Sequence, residues 1–478
     1  KNIPVKNVIF LKYRLKYRTM PKQKIYPNII RKTEHRRRLN RQSRSSFGVG
    51  VYLDYAATTP VDPRVLRAML PYFDKVCGNA GSLHSFGREA KAAIYKARKT
   101  IAKILNCRPE EIYFCGSGTE SDNLAIFGVA RANKNFGNHI ITSSIEHPAV
   151  LESCHKLEKE GFQVTFLEVD QEGIVRLDSL KKAISDQTIL VSVMYANNEI
   201  GTLQPIEEIS QIIKEVKRER EKRGVKVPIY FHTDACQAAG YLNLDVQKLG
   251  VDLLTLNGSK IYGPKGTGAL FVKAGTKIEP LIFGGGQEGG LRSGTENTPG
   301  IVGLAEAFKI AQQERKKEVK REEKLRDYFI KEIMKKIPKV VLNGHPKKRL
   351  PNNVNVSILD IEGEAMLLWL DKYGISASTG SACHSESLEP SHVILALGRP
   401  YEYAHGSLRF TLGRWTKKKD IDYVLKVLPK VVKKLRKISP VRIEIGKKAL
   451  ELEKAFLEGR PHWEKEKVKG SIKSKKSG

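Results

Sequence analysis

The chain has 478 residues, which is enough to bury a large core and to form more than one domain. Its 84 basic and 52 acidic residues give a formal net charge of +32, and a charge of this size first suggests a nucleic-acid partner. The six cysteines contain no C-x-x-C pair and no apolar run approaches the roughly 18–20 residues of a membrane helix, so the composition argues against a disulfide scaffold and a membrane protein.

The charge is concentrated at the two ends of the chain, which weakens the nucleic-acid interpretation. Residues 1–50 hold 15 Lys and Arg against one acid, Glu34, and residues 414–478 hold 21 against eight. The middle, residues 51–413, carries a net charge of only +5. We predict that it is an ordinary soluble unit in the cytoplasm. The first 50 residues fit either an organellar transit peptide or, as we favour, a disordered basic extension.

From Val51 onward, short apolar runs alternate with helical patterns, which predicts a mostly parallel sheet with helices on both faces. The predicted strands are 111–118, 139–144, 163–170, 188–198, 228–235 and 252–258, and the predicted helices are 89–105, 120–134, 149–160 and 206–223. A long polar helix at about 300–336 leads to a second α+β region. That region has predicted strands at 352–359 and 406–413 and predicted helices at 362–373 and 420–438.

The predicted fold class is therefore α/β with two domains. Residues 65–305 would form the large domain with the parallel sheet, and residues 51–64 and 306–440 the small domain. The basic extension 1–50 precedes them, and residues 441–478 form a basic tail.

Polar residues follow four of the predicted strands. Ligands of open parallel sheets bind beyond the carboxyl ends of the strands, so these residues are the natural place for a site. The four groups are Gly116–Thr119, Asn197–Asn198, Asp234–Gln237 and Asn257–Lys260.

Each group has both a chemical and a plain structural interpretation. The stretch "CGSGTESDN" (115–123) supplies backbone N–H groups for a phosphate, or merely caps a helix. Asp234 suits a protonated pyridine nitrogen, or caps the next helix. Lys260 could form a Schiff base or bind a phosphate, while Lys265 would be a loop residue or a phosphate contact. His147 could stack on a ring, or simply begin a helix beside Pro148.

A phosphate cradle, an aspartate, a reactive lysine and a ring-stacking histidine together describe a pyridoxal phosphate site. Cys383 adds a further signal, since it lies in the polar stretch "ASTGSACHSESLEPS" (377–391) and is a candidate nucleophile. A harmless surface thiol is the alternative. The other five cysteines adjoin apolar or helical stretches and are expected to pack in the interior.

The chain resembles the cysteine desulfurases of the NifS/IscS type, which are class V aminotransferases. The motifs run in order from Val51 to Pro440 and include "VYLDYAATTPVDPRV", "GNAGSLHSFGREAK", "SGTESDNLAI", "NNEIGTLQP", "HTDACQAAG", "KIYGPKGTGAL", "GGGQEGGLRSGTEN" and "GSACHSESLEPSHVILALG". The resemblance implies a pyridoxal phosphate-dependent homodimer that removes sulfur from L-cysteine and leaves alanine.

Catalytic roles follow by position from the resemblance. Lys260 would be the Schiff-base lysine, and Cys383 would receive the sulfur as a persulfide. His147 would stack on the cofactor ring. Arg409 would hold the substrate carboxylate, a role that suits its planar guanidinium.

The resemblance also implies the cofactor contacts. Asp234 would pair with the pyridine nitrogen and Gln237 with the phenolic oxygen, with Asn198 nearby. The phosphate would be bound by Gly118, Thr119 and His232, and by Thr295 of a second subunit.

Two positions depart from the family pattern before the lysine. The family commonly has serine and histidine where this chain has Asn257 and Ser259. Both can donate hydrogen bonds to a phosphate, but neither brings a positive charge, so we expect weaker cofactor retention. His384, where a small hydroxyl residue is common, is a further departure.

Alternative functions remain at this point. A selenocysteine lyase or another class V enzyme would share most of the motifs. A basic nucleic-acid-binding protein on an inactive scaffold would explain the charged ends. For a desulfurase, the expected partners are a second copy of the chain, L-cysteine, and a persulfide acceptor such as an iron–sulfur scaffold protein or a tRNA-thiolation protein, with weak nucleic-acid contact through the basic ends.

Overall fold

The computed structural model describes residues 50–379 and 390–439. The strands are β1 Val51–Tyr52, β2 Ile112–Cys115, β3 His139–Ser143, β4 Gln163–Leu167, β5 Thr188–Ser192, β6 Tyr230–Asp234, β7 Leu253–Asn257, β8 Gly268–Val272, β9 Val340–Leu342, β10 Asn353–Ile358, β11 Ile375–Ser376 and β12 Ser407–Thr411. Predicted strands lie at eight of these positions, so the short apolar runs located them correctly.

The helices fill the spaces between the strands. They are α1 Pro63–Met69, α2 Pro71–Asp74, α3 Ser85–Leu105, α4 Gly118–Asn133, α5 Pro148–Lys159, α6 Leu177–Ala183, α7 Ile206–Lys222, α8 Val246–Leu249, α9 Thr298–Lys336, α10 Gly363–Lys372, α11 His392–Ala396, α12 Tyr401–His405 and α13 Lys418–Ile438. Among the described residues, none of the helices is both long enough and apolar enough to cross a membrane.

The large sheet has seven strands in the order β2-β8-β7-β6-β5-β3-β4. The strands β7, β6, β5, β3 and β4 are mutually parallel, whereas β8 runs antiparallel between β2 and β7. The expected α/β class with a mostly parallel sheet is thus confirmed. The expectation omitted β8, because the glycine-rich sequence "GPKGTG" that leads into it resembles a loop. The connection between β7 and β8 is short, and strands joined by a short connection pair antiparallel.

A smaller unit contains the antiparallel sheet β12-β10-β9 and the parallel pair β1 and β11. The first strand therefore pairs with residues far along the chain. The contact is extended by Ala56 N–H, which donates to Thr411 Oγ1 at 2.9 Å across 355 positions. Residues at the start of the described part of the chain therefore pack against residues more than 300 positions later.

The 39-residue helix α9 links the two units. Its first half, including Leu304 and Phe308, belongs to the core under the large sheet, and its second half, including Phe329 and Ile333, belongs to the core of the smaller unit. A third core lies on the other face of the large sheet, around Ile126 and Val129 of α4. The domain boundary expected between residues 305 and 306 stays a prediction, and α9 passes through it without a break.

Candidate active site

Three elements converge at one edge of the large sheet. Cys115 at the end of β2 and Asn257 at the end of β7 both pair with Gly268, so the carboxyl ends of β2 and β7 flank the start of β8. A Cβ atom added to Gly118, the first residue of α4, would lie only 2.8 Å from Cys236 Sγ and 3.2 Å from Asn257 Cβ. Glycine is required here because the backbone of α4 approaches the ends of β6 and β7 this closely.

Lys260 lies in a short 3-10 turn, Gly258–Lys260, directly after β7. Its Nζ donates to the carbonyl oxygens of Ala56 and Ala57, at 2.9 and 2.7 Å. Gln237 Nε2 donates to the same Ala56 oxygen at 3.0 Å. Lys260 and Gln237 are therefore brought together, as the resemblance implied. Lys265 is an exposed loop residue that donates to a backbone carbonyl, Thr59 O, at 2.9 Å.

Asn257 and Ser259 contact each other in front of the lysine. Asn257 Oδ1 accepts hydrogen bonds from Ser259 N–H and from Ser259 Oγ, both at 3.0 Å. The Nδ2 end of the same amide faces α4, 3.2 Å from where a Gly118 Cβ would be. The amide thus directs N–H donors toward the start of α4.

Asp234 ends β6, and only 7% of its surface is exposed. Its Oδ1 accepts the Cys236 N–H at 2.8 Å, so it does cap the following turn. A second acid, Asp122 of α4, lies nearby and is fully buried, with no hydrogen-bond partner for Oδ1 among the described residues. Burial, reinforced by the charge of Asp234, raises the pKa of Asp122 well above its usual range.

His232 does not fit the phosphate role implied by the resemblance. Its side chain is fully buried within the sheet, and both ring nitrogens already have hydroxyl partners. Nδ1 lies 2.9 Å from Ser192 Oγ and Nε2 lies 3.0 Å from Thr255 Oγ1. Burial lowers the pKa of His232 to about 4, so its imidazole is neutral at physiological pH. With neither a positive charge nor a free ring N–H, it has no donor to offer a phosphate.

His147 lies at the start of α5, and its Nδ1 accepts the Ala149 N–H at 3.1 Å. This is the helix-start arrangement that the sequence left open. An accepting Nδ1 carries no proton, so the neutral ring has its hydrogen on Nε2. The side chain is half-buried, and capping therefore fixes its orientation without covering it.

Arg409 of β12 is 3% exposed and points from the smaller unit toward the sheet edge. Its Nη1 donates to the Asn198 carbonyl at 2.9 Å, and its Nη2 contacts Asp54 Oδ1 at 3.1 Å. Arg409 Nε and Asn198 Oδ1 are both buried without a partner among the described residues.

Asp54 is a site residue that sequence reasoning missed. Besides its contact with Arg409, it belongs to the turn whose carbonyls bind Lys260. Burial, opposed by Arg409, raises the pKa of Asp54. The motif "VYLDYAATTP" was visible in the sequence, but its position next to the lysine depends on a contact across about 200 positions.

Thr119 and Thr295 are both exposed. Thr119 is the second residue of α4, whereas Thr295 follows Arg292, whose Nε binds Glu120 Oε1 at 2.8 Å. The segment with Thr295 therefore lies beside the first turn of α4.

Cys383 lies outside the described residues, but both flanks of its segment contact the site. Ser378 exchanges two backbone hydrogen bonds with Arg409, at 3.1 and 2.7 Å. On the other side, Ser391 Oγ donates to Glu199 Oε2, and His392 Nε2 lies 3.0 Å from the Glu146 carbonyl.

The expectation for the other cysteines is confirmed in part. Cys115, Cys154 and Cys236 are buried and Cys107 is half-buried, but Cys77 is exposed, so the packing prediction is wrong for that residue. It follows α2, which contributes no buried residue.

These residues fit pyridoxal phosphate. The Gly118 cradle has room for no side chain and presents the N–H groups of a helix start, which suits a phosphate. Lys260 supplies the amine for a Schiff base, and Asp234 lies at the neighbouring strand end for a pyridine nitrogen. The donor set thus matches a phosphorylated, nitrogen-containing aldehyde.

Comparison with known proteins supports this geometry. The family model for aminotransferase class V matches residues 51–424. The chain is 53% identical over 401 residues to "Cysteine desulfurase IscS" of Dictyoglomus turgidum, covering 84% of this chain and 99% of that one. It is 54% identical over 397 residues to a protein of the same name from Methanosarcina thermophila, covering 83% and 95%.

Solved structures agree with the sequence relatives. A "NifS-like protein" superposes with a TM-score of 0.74 at 37% identity, covering 81% of this chain and all of that one. "SspA in complex with cysteine" superposes with a TM-score of 0.65 at 36% identity, covering 76% and 98%. The chain therefore belongs to the class V aminotransferase family and, within it, to the cysteine desulfurases of the NifS/IscS type.

Proposed function

We propose that this protein is a pyridoxal phosphate-dependent cysteine desulfurase, which removes sulfur from L-cysteine to leave L-alanine and a persulfide on Cys383. The observation that carries the proposal is the buried Arg409, which contacts Asp54 Oδ1 in the turn whose carbonyls bind Lys260. A carboxylate-binding arginine beside an amine-binding cofactor fits an amino acid substrate. One structural neighbour is named as a complex with cysteine.

The cofactor, when bound, supplies an electron sink that withdraws electron density from the substrate's α-carbon. Asp234 would hold its ring nitrogen, His147 its ring face and Gln237 its phenolic oxygen. The phosphate would be held by the N–H groups of Gly118 and Thr119, together with Asn257 and Ser259. His232 is left out of this set because both of its ring nitrogens are occupied.

Lys260 acts as the proton carrier of the site. Its Nζ would hold the cofactor as a Schiff base, and as a free amine it would take the proton from the substrate α-carbon. The carbonyls of Ala56 and Ala57 lie within hydrogen-bonding distance of Nζ and can hold it near this position. Arg409 and Asn198 meanwhile fix the substrate carboxylate and thereby orient the α-carbon.

The sulfur leaves by attack of the Cys383 thiolate on the substrate sulfur. A sulfur–sulfur bond forms and the substrate Cβ–S bond breaks, with its electron pair left on carbon. Protonation of that carbon, and return of a proton from Lys260 to the α-carbon, give alanine. The persulfide on Cys383 then passes to an acceptor, for which we infer an iron–sulfur scaffold protein or a tRNA-thiolation protein.

We also propose a homodimer in the cytoplasm. Large apolar side chains are exposed along one stretch of the chain, and such patches mark interfaces. They are Leu66, Leu70, Phe73, Leu83 and Phe86, with Phe283 in the segment that leads to Thr295. In a dimer Thr295 would contribute to the phosphate site of the second subunit.

The purified protein should absorb visible light through bound pyridoxal phosphate, and should release sulfide from L-cysteine in the presence of a reductant. Lys260→Ala should lose the absorbance. Cys383→Ser should keep the absorbance but lose sulfide release. Retained absorbance in the first variant, or full sulfide release in the second, would overturn the proposal. Analytical ultracentrifugation tests the dimer, and Phe73→Glu should weaken it.

A further inference from the structure

Glu146 lies between the end of β3 and His147, and its side chain is fully buried. Its Oε1 accepts a hydrogen bond from Ser143 Oγ at 2.5 Å and another from Met194 N–H at 2.9 Å. Ser143 is the last residue of β3, and Met194 follows β5, the neighbouring strand of the sheet. One carboxyl oxygen thus joins the exits of two adjacent strands.

The two joined segments carry residues of the cofactor site. One leads immediately into His147, and the other leads into the turn with Asn197 and Asn198. A second link joins the same segments, because Asn197 Nδ2 donates to the Ile145 carbonyl at 2.8 Å. The spacing between His147 and Asn198 therefore depends on Glu146 and Asn197 together.

We propose that Glu146 is a positioning residue of the cofactor site, which holds the segments of His147 and Asn198 in register with each other. The inference rests on the proposed function, since it takes the roles of these two residues from there. Removing the carboxyl would leave the Met194 N–H and the Ser143 hydroxyl buried without an acceptor. The two strand exits would then be free to shift apart.

The surroundings of Glu146 favour its neutral, protonated form over the ionised carboxylate. Its second oxygen, Oε2, has no hydrogen-bond partner among the described residues, so an ionised carboxylate would be poorly solvated. Burial raises the pKa of Glu146 to about 8, the Ser143 and Met194 hydrogen bonds oppose this, and Asp234 adds to it. The titratable groups around it are Asp234 of β6, Asp122 of α4, Cys154 and His147 of the α5 region, and His392 of α11.

The test measures the affinity of the full-length apo-protein for pyridoxal phosphate, titrated by visible absorbance from about pH 6 to about pH 9.5. Glu146→Gln keeps an acceptor oxygen but cannot ionise, whereas Glu146→Ala removes the acceptor. Glu111→Gln is the matched control. Glu111 is also buried and accepts a backbone N–H from a distant segment, Ala274 at 2.8 Å, but it lies at the opposite end of β2 from the cradle.

We expect Glu146→Ala to bind the cofactor about tenfold more weakly at every pH. Glu146→Gln should match the wild type within about twofold near pH 7 and bind more tightly than the wild type above about pH 8, where Glu146 ionises. The control should change thermal stability but not cofactor affinity. Wild-type affinity in the alanine variant, or an identical pH profile in wild type and glutamine variant, would overturn the proposal.

Loss of folding in Glu146→Ala leaves the comparison of Glu146→Gln with the wild type as the deciding one. Failure of the proposed function would look different. The wild type itself would then fail to bind pyridoxal phosphate or to release sulfide from cysteine, whatever residue stands at position 146.

Discussion

Glu322→Gln should stabilise the protein increasingly as the pH rises. Glu322 lies on α9 with 1% of its surface exposed, beside a cavity of about 20 Å³ that Tyr241 and Arg414 also line. Arg321 Nη2 donates to its Oε1 at 3.0 Å, while Oε2 has no hydrogen-bond partner among the described residues. Burial raises the pKa of Glu322 from 4.5 to about 8, although Arg321 opposes the shift.

The size of the effect follows from proton linkage. Between these two pKa values the folded state holds a proton on Glu322 that the unfolded state has lost, so the free energy of unfolding falls as the pH rises. One proton corresponds to about 1.4 kcal/mol per pH unit, which gives about 3 kcal/mol between about pH 5.5 and about pH 8. The stabilisation from this proton is fully present below the pKa that Glu322 has in the unfolded state. It is lost as the pH rises past the pKa that Glu322 has in the folded state. Glutamine keeps the oxygen that binds Arg321 and does not titrate.

Denaturant unfolding of wild type and variant, followed by circular dichroism at several pH values, measures this difference. Glu146 titrates in the same range but is present in both proteins, so its contribution cancels. Glu323→Gln, a partly exposed acid on the same helix, should change stability by less than about 0.5 kcal/mol at every pH. A difference between wild type and Glu322→Gln that stays constant from about pH 5.5 to about pH 8 would refute the reasoning.

Two further predictions concern the site, and a third concerns the stability of the segment that follows Lys260. Gly118→Ala should weaken pyridoxal phosphate binding about tenfold or more by titration, because the new Cβ would meet Cys236 Sγ at 2.8 Å; unchanged affinity would argue against the cradle. Arg409→Lys should lower kcat/KM for L-cysteine by about 30-fold, with cofactor absorbance retained, since a lysine cannot reproduce the guanidinium contacts. Tyr262→Phe should cost about 1–2 kcal/mol in thermal unfolding, because the Arg414 N–H loses its 2.7 Å bond to the hydroxyl; an unchanged Tm would contradict this.

The pattern of apolar residues predicted most of the large sheet because each parallel strand is a local run of five or so residues. Predicted and observed bounds of β3 differ by one residue, and those of β6 and β7 by one or two. The predicted strand at 188–198 is too long, since β5 ends at Ser192. Beyond it the chain stays buried but turns toward the site, and burial alone does not distinguish a strand from a buried turn.

The site was predictable where its residues follow strands, and much less so where it depends on long-range contacts. Lys260, Asp234 and Gly118 stand at strand ends, which parallel topology brings to one edge. Asp54 reaches the same place only through pairing of β1 with β11, more than 300 positions later in the chain. His232 shows the opposite error, because sequence could not reveal that neighbouring strands would occupy both ring nitrogens.

Helix α9 also has a consequence for the order of folding. At 1.5 Å per residue it is about 58 Å long, and it is synthesised before β9, β10, β12 and α13 exist. Its first half can dock on the large sheet early, while its second half keeps the apolar face of Phe329 and Ile333 uncovered. During synthesis the second half of α9 therefore exposes an apolar surface, which favours binding by a chaperone or aggregation.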